Sequence, residues 1–92
     1  MTEKKARLVV RGQVQGVGYR FFASKKAQEL GVRGWIKNNP DGTVEAAVES
    51  SGENIEQFIH VLRSEHPWAK VNSIEIEWQP FDAQFQDFKI NY

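Results

Sequence analysis

Gly12-Gln13-Val14-Gln15-Gly16-Val17-Gly18-Tyr19-Arg20 joins a strand-like run to a helix-like one, and its reading decides the fold. Before it, Ala6, Leu8 and Val10 alternate with Arg7, Val9 and Arg11. That period of two predicts a strand over Ala6–Val14 with one buried face. After it, Phe22 or Ala23, Ala27 and Leu30 recur at helical spacing, with lysines, Gln28 and Glu29 between them. A helix over Tyr19–Leu30 follows, and Gly31 is suited to end it. Gly16 and Gly18 let the backbone turn sharply with its N–H groups exposed. The first helical turn adds further unpaired N–H groups at the positive end of the helix dipole. Arg20 contributes a planar cationic fork at the same place. These features describe a cradle for a phosphate-sized anion.

Working outward, Arg33–Lys37 reads as a short strand, and Asn39-Pro40-Asp41-Gly42 as a turn. In Thr43–Glu49, Val44, Ala46 and Val48 alternate with Thr43, Glu45, Ala47 and Glu49, so the two runs predict a hairpin. Ser50-Ser51-Gly52 breaks the pattern, and Asn54 with Gln57 resembles a capping box. Ile55, Phe58, Ile59 and Leu62 fit the template of an amphipathic helix, which ends near His66-Pro67. Val71–Trp78 predicts a fourth strand with Ile74, Ile76 and Trp78 inward, and Phe85–Tyr92 adds a short final one. The order β-α-β-β-α-β is the split βαβ, or ferredoxin-like, arrangement. The expected fold is an α+β sandwich: an antiparallel-dominated sheet with two helices on one face, formed by residues 1–92 as a single domain.

The composition narrows the function. The chain has 92 residues, enough for one small core, and 40% of them are hydrophobic. Lysine plus arginine balances aspartate plus glutamate, 12 against 12, so anion binding must come from a local site rather than from net charge. Nucleic-acid and membrane partners are therefore not expected. The absence of cysteine excludes disulfides and thiol nucleophiles. No apolar run approaches membrane-spanning length and the start lacks an apolar signal core, so a cytoplasmic protein is expected. For so small a domain a monomer is the default expectation, although the final strands could expose a pairing edge. The glycine run lacks the Gly-Lys-Ser/Thr ending of a Walker A loop and is not Gly-x-Gly-x-x-Gly. His60 and His66 have no matching third ligand, so no metal site is expected. Phe21 or Phe22 is expected to pack, and the Lys4-Lys5 and Lys25-Lys26 pairs to be solvated.

Topology unites two distant residues. A right-handed crossover makes the first two strands parallel, so their C-terminal ends lie at the same end of the sheet. Arg20 begins the first helix there, and Asn38 follows the second strand. From its own block alone, capping the turn that follows is the better reading of Asn38, and the expected proximity to Arg20 reverses that preference.

Two blocks carry a resemblance: Gly12 to Arg20 quoted above, and Gly34-Trp35-Ile36-Lys37-Asn38-Asn39-Pro40-Asp41-Gly42-Thr43-Val44-Glu45. With their spacing, the chain length and the element order, the sequence resembles the acylphosphatase family, small enzymes that hydrolyse carboxyl-phosphate anhydrides. The resemblance implies a ferredoxin-like fold, no cofactor, and catalytic roles for Arg20 and Asn38. Arg20 would bind the phosphoryl group and Asn38 would orient the attacking water. The backbone of Gln15, Gly16, Val17, Gly18, Tyr19 and Arg20 would bind phosphate. Animal members carry threonine where this chain has Asn39, so no role passes to Asn39. The implied substrate is a small-molecule acyl phosphate, such as a carbamoyl- or glycerate-type anhydride, with phosphate as product or inhibitor. A non-catalytic binding or regulatory module, which holds phosphate or acyl phosphate without turning it over, is the alternative. A ferredoxin-like RNA binder ranks last, because Val44, Ala46, Ala47 and Val48 stand where exposed aromatics would be needed.

Overall fold

The computed structural model describes residues 2–92. The elements are β1 (Glu3–Gln13), α1 (Tyr19–Leu30), β2 (Arg33–Asn38), β3 (Val44–Ser51), α2 (Gly52–Ser64), β4 (Lys70–Gln79) and β5 (Phe88–Asn91). The five strands form one sheet in the order β4-β1-β3-β2-β5. β1 and β2 each pair antiparallel with β3, which makes them parallel to one another across it. Val44 is opposite Val10 on one side and Asn38 on the other, so the ends of β1 and β2 are level. β4 is antiparallel to β1, and β5 pairs parallel with β2.

The alternation in β1 sets the layers. Ala6, Leu8 and Val10 are buried beside Val48, Ala46 and Val44 of β3. Ile36 and Phe88 extend this surface across β2 and β5. Ala23 and Ala27 of α1 close over it, with Ile55, Phe58, Ile59 and Leu62 of α2. α1 ends where expected: Gly31 adopts φ 69°, and Val32 N–H donates to the Ala27 carbonyl at 2.8 Å.

Four expectations need correction. β3 does not leave one face outward; all eight of its residues are buried. The connection formed by residues 80–87 leads from β4 at one edge to β5 at the other, across the helix-free face. The buried Glu49 carboxylate accepts the backbone N–H groups of Gln84 and Phe85 at 3.1 and 3.0 Å, pinning that connection. Nor is Lys5 solvated: it is buried and donates to Gln84 and Asp82 at 2.5 and 3.2 Å. Ile76 and Trp78 lie in register with Leu8 and Ala6, on the helix-covered face, but remain 39% and 45% exposed because β4 is an edge strand. The cap of α2 is Ser51, whose hydroxyl accepts Asn54 N–H at 3.1 Å, rather than Asn54 with Gln57.

Candidate functional site

The loop between β1 and α1 opens into a cleft of about 180 Å³. It is lined by Gly16, Gly18, Tyr19 and Arg20 from the loop and helix start, and by Asn38 from the end of β2. Val14, Phe21, Ile90 and Tyr92 complete it. Residues eighteen positions apart in the chain thus share one cleft, as the crossover topology requires.

Gly16 and Gly18 have φ of 79° and 72°, where a side chain would be strained. Gly18 is the N-cap of α1, and the first intrahelical bond runs from Phe22 N–H to its carbonyl at 3.0 Å. Glycine brings no capping side chain, and the first turn holds no acidic residue. The N–H groups of this turn are left for something outside the helix.

Arg20 is half-buried at the second position of α1. Its Nη1 donates to the Asn91 carbonyl at 3.2 Å, and its guanidinium lies 4.9 Å from the centre of the Tyr92 ring. The C-terminal end of β5 therefore holds one side of the guanidinium. Tyr19 contributes differently. Its ring is buried in the core, and its hydroxyl donates to the Leu62 carbonyl at 2.6 Å. Burial pushes the phenol well above its ordinary pKa, so it stays a neutral donor that ties the start of α1 to the end of α2.

The turn after β2 is closed without Asn38. Asn39 N–H donates to the Thr43 carbonyl at 2.8 Å, and the Asp41 carboxylate accepts both the Thr43 N–H (3.0 Å) and its hydroxyl (2.7 Å). The Thr43 hydroxyl and then its N–H hold the Asp41 pKa below the ordinary carboxylate value. Asn39 is a structural member of the same turn, donating to the Thr43 hydroxyl at 3.0 Å and to Glu45 at 3.2 Å. Burial pushes the Glu45 carboxyl up, but hydrogen bonds from Arg7 and Asn39 outweigh it and leave the pKa lowered. Asn38 Oδ1, by contrast, is buried with no hydrogen-bond partner among the described residues. An unmet acceptor of this kind costs about 1–3 kcal/mol.

Gln15 and Val17 do not line the cleft. The Gln15 side chain instead donates to the carbonyls of Asn39 and Thr43, both at 2.9 Å, and so clips the glycine loop to the turn that follows Asn38. Val17 packs against the core. Sequence reasoning missed Ile90 and Tyr92, which reach the cleft only because β5 pairs with β2. Of Phe21 and Phe22, it is Phe22 that packs, edge-on against His66 with ring centres 5.0 Å apart, while Phe21 is 71% exposed at the cleft. Nδ1 of His66 accepts the N–H groups of Trp68 and Ala69, a local turn role.

The family model for acylphosphatase matches residues 6–90 of this chain. An acylphosphatase of Thermococcus kodakarensis is 43% identical over 90 residues, covering 98% of each chain. Among solved structures, the acylphosphatase from Bacillus subtilis aligns with a TM-score of 0.92 at 31% identity, over 97% of this chain and 99% of that one. A similar fold occurs within a far larger protein, full-length HypF in its phosphate- and nucleotide-bound form. There 99% of this chain aligns with 12% of the other, with a TM-score of 0.88 at 28% identity.

Proposed function

The chain belongs to the acylphosphatase family and hydrolyses acyl phosphates, and we propose that the loop Gln15–Arg20 and Asn38 are the two halves of its site. The observation that carries this reading is the convergence of Arg20 and Asn38 on one cleft, with Asn38 Oδ1 unused by the fold. Backbone N–H groups of the loop and the free side of the Arg20 guanidinium hold the phosphoryl oxygens. Asn38 aligns a water molecule for attack on phosphorus. Its amide both donates and accepts hydrogen bonds but is not a strong base.

In the reaction, the water oxygen forms a bond to phosphorus as the bond from phosphorus to the acyl oxygen breaks. The electron pair leaves with the carboxylate. The water protons end on phosphoryl oxygens, giving a carboxylate and dihydrogen phosphate. A loose phosphoryl-transfer transition state asks mainly for positioning and charge stabilisation. The leaving carboxylate has a conjugate acid of pKa about 4, so it departs without a general acid. Arg20, backbone donors and an amide meet these needs. On this reading, residues 1–92 act as a single domain and a cytoplasmic monomer on a free small-molecule substrate. Phosphate is then a competitive inhibitor, and no cofactor, metal, nucleic acid or membrane partner is included.

Steady-state hydrolysis of acetyl phosphate, with phosphate as inhibitor, tests the assignment. Arg20→Ala is expected to lower kcat/KM by about 10³-fold or more and to weaken phosphate inhibition. Asn38→Ala is expected to lower kcat by about 10²-fold while changing the phosphate inhibition constant far less. Wild-type activity in both variants would reject these roles. Tight phosphate binding without turnover in the native chain would favour the non-catalytic binding module.

A further inference from the structure

The cleft combines two surfaces of different chemistry. Gly16, Gly18, Arg20 and Asn38 bring polar groups, while Phe21, Ile90 and Tyr92 bring apolar ones. Phe21 and Tyr92 are 71% and 99% exposed, so neither is placed there by the needs of the core. Exposed large hydrophobic side chains are ordinarily scattered singly. Here two of them come from different elements, α1 and the residue after β5, and converge on one cleft beside Ile90. Arg20 is the one charged residue in the lining, and part of its guanidinium is already engaged by the Asn91 carbonyl and the Tyr92 ring.

We propose that Phe21, Ile90 and Tyr92 form the subsite for the acyl group, and that the substrates are acyl phosphates whose organic part is uncharged and apolar. This rests on the assignment of the cradle as the phosphoryl site. With the phosphoryl group on the loop and Arg20, the rest of the substrate shares a cleft whose lining also includes Phe21, Ile90 and Tyr92. Aliphatic or aromatic carbon there gains contact with two rings and the Ile90 side chain. A second anionic group, as in a glycerate-type anhydride carrying another phosphate, meets no second cation along this wall. Such a group keeps its water and forgoes the contact with the rings that an apolar substituent gains.

Phosphonates test the subsite without requiring turnover of the probe. Inhibition of acetyl phosphate hydrolysis is measured with phosphate, methylphosphonate, butylphosphonate and γ-phosphonobutyrate, the last carrying a terminal carboxylate on a chain of matched length. Butylphosphonate is expected to bind about fivefold more tightly than methylphosphonate, reflecting partial burial of three added methylenes. γ-Phosphonobutyrate is expected to lose that gain. Phe21→Ser and, separately, Tyr92→Ser should each reduce the butyl-to-methyl ratio, and a native ratio in both variants overturns the subsite. Equal inhibition by the methyl and butyl compounds overturns the subsite while leaving the cradle intact. So does tight binding of γ-phosphonobutyrate. Failure of phosphate and methylphosphonate alike, with no turnover of acetyl phosphate, overturns the cradle and the subsite together.

Discussion

The two helices begin in opposite ways. α2 is finished by its own neighbours: Ser51 accepts Asn54 N–H at 3.1 Å, Asn54 donates to Ser50 at 3.3 Å, and Glu53 stands in the first turn. The Ser51 cap and Glu53 are the usual means of satisfying the positive end of a helix. α1 has none of them. Its cap is Gly18 in the left-handed region, it has no acid in the first turn, and it carries Arg20 instead. A cation at that position is unfavourable for the helix alone. The unfavourable end is the one that opens into the cleft. A helix start serving only stability takes the form of α2, whereas one that completes itself on an incoming anion takes the form of α1.

Removing the cap of α2 is the strongest way to separate stability from function. Ser51→Ala is expected to destabilise the fold by about 1 kcal/mol. Thermal or urea unfolding would show this, with kcat/KM for acetyl phosphate close to native. A large loss of activity without a loss of stability would mean that the two helix starts are not divided in this way. The converse change gives α1 what α2 already has. Phe21→Glu places a carboxylate at the third position of the helix, where it favours the dipole by about 0.3–1 kcal/mol at low salt. The helix should gain slightly in stability while phosphate inhibition weakens several-fold, because the new carboxylate competes for the N–H groups and repels the ligand. Unchanged phosphate inhibition at low ionic strength would argue that those N–H groups do not meet the anion.

The contrast between the helix starts was legible in the sequence on the side of α1. Gly16, Gly18 and Arg20 lie within five residues, and local chemistry sufficed to place them at one turn. α2 was harder. Ser50, Ser51 and Asn54 are all capable caps, and only the path of β3 running directly into the helix selects Ser51. Asn38 could be brought toward Arg20 because a βαβ crossover makes its two strands parallel, so both residues lie at the same end of the sheet. Tyr92 could not, since its position depends on a four-residue strand, β5, whose partner β2 lies some fifty residues earlier. Burial of Glu49 had the same cause. The alternation in β3 identifies two faces, but the crossing segment that covers the second is held by backbone groups of Gln84 and Phe85, which carry no side-chain signature. Likewise, alternation in β4 assigns Ile76 and Trp78 to the helix face without revealing that the strand lies at its edge.

α1 also differs from α2 in borrowing support from a distant turn. Asp41 fixes Thr43, the Thr43 carbonyl accepts the Gln15 amide, and Gln15 opens the cradle loop. This chain of contacts gives the smallest effect and the one with a definite pH dependence. The Asp41 pKa is lowered in the folded chain by the Thr43 hydroxyl and N–H. A carboxyl lowered on folding stabilises fully above its unfolded pKa and loses that contribution as pH falls through the folded one. The relevant window is therefore below pH about 4, the ordinary range for aspartate. Asp41→Asn keeps an oxygen acceptor but removes the charge. At pH 7 its melting temperature should be lower by about 2 °C. Toward acid, where the native carboxylate is protonated, the two proteins should converge. If the gap instead stays constant with pH, the charge on Asp41 is not what holds the turn. The support for the α1 cradle would then rest on the Gln15 clip and the backbone bond from Asn39 to Thr43.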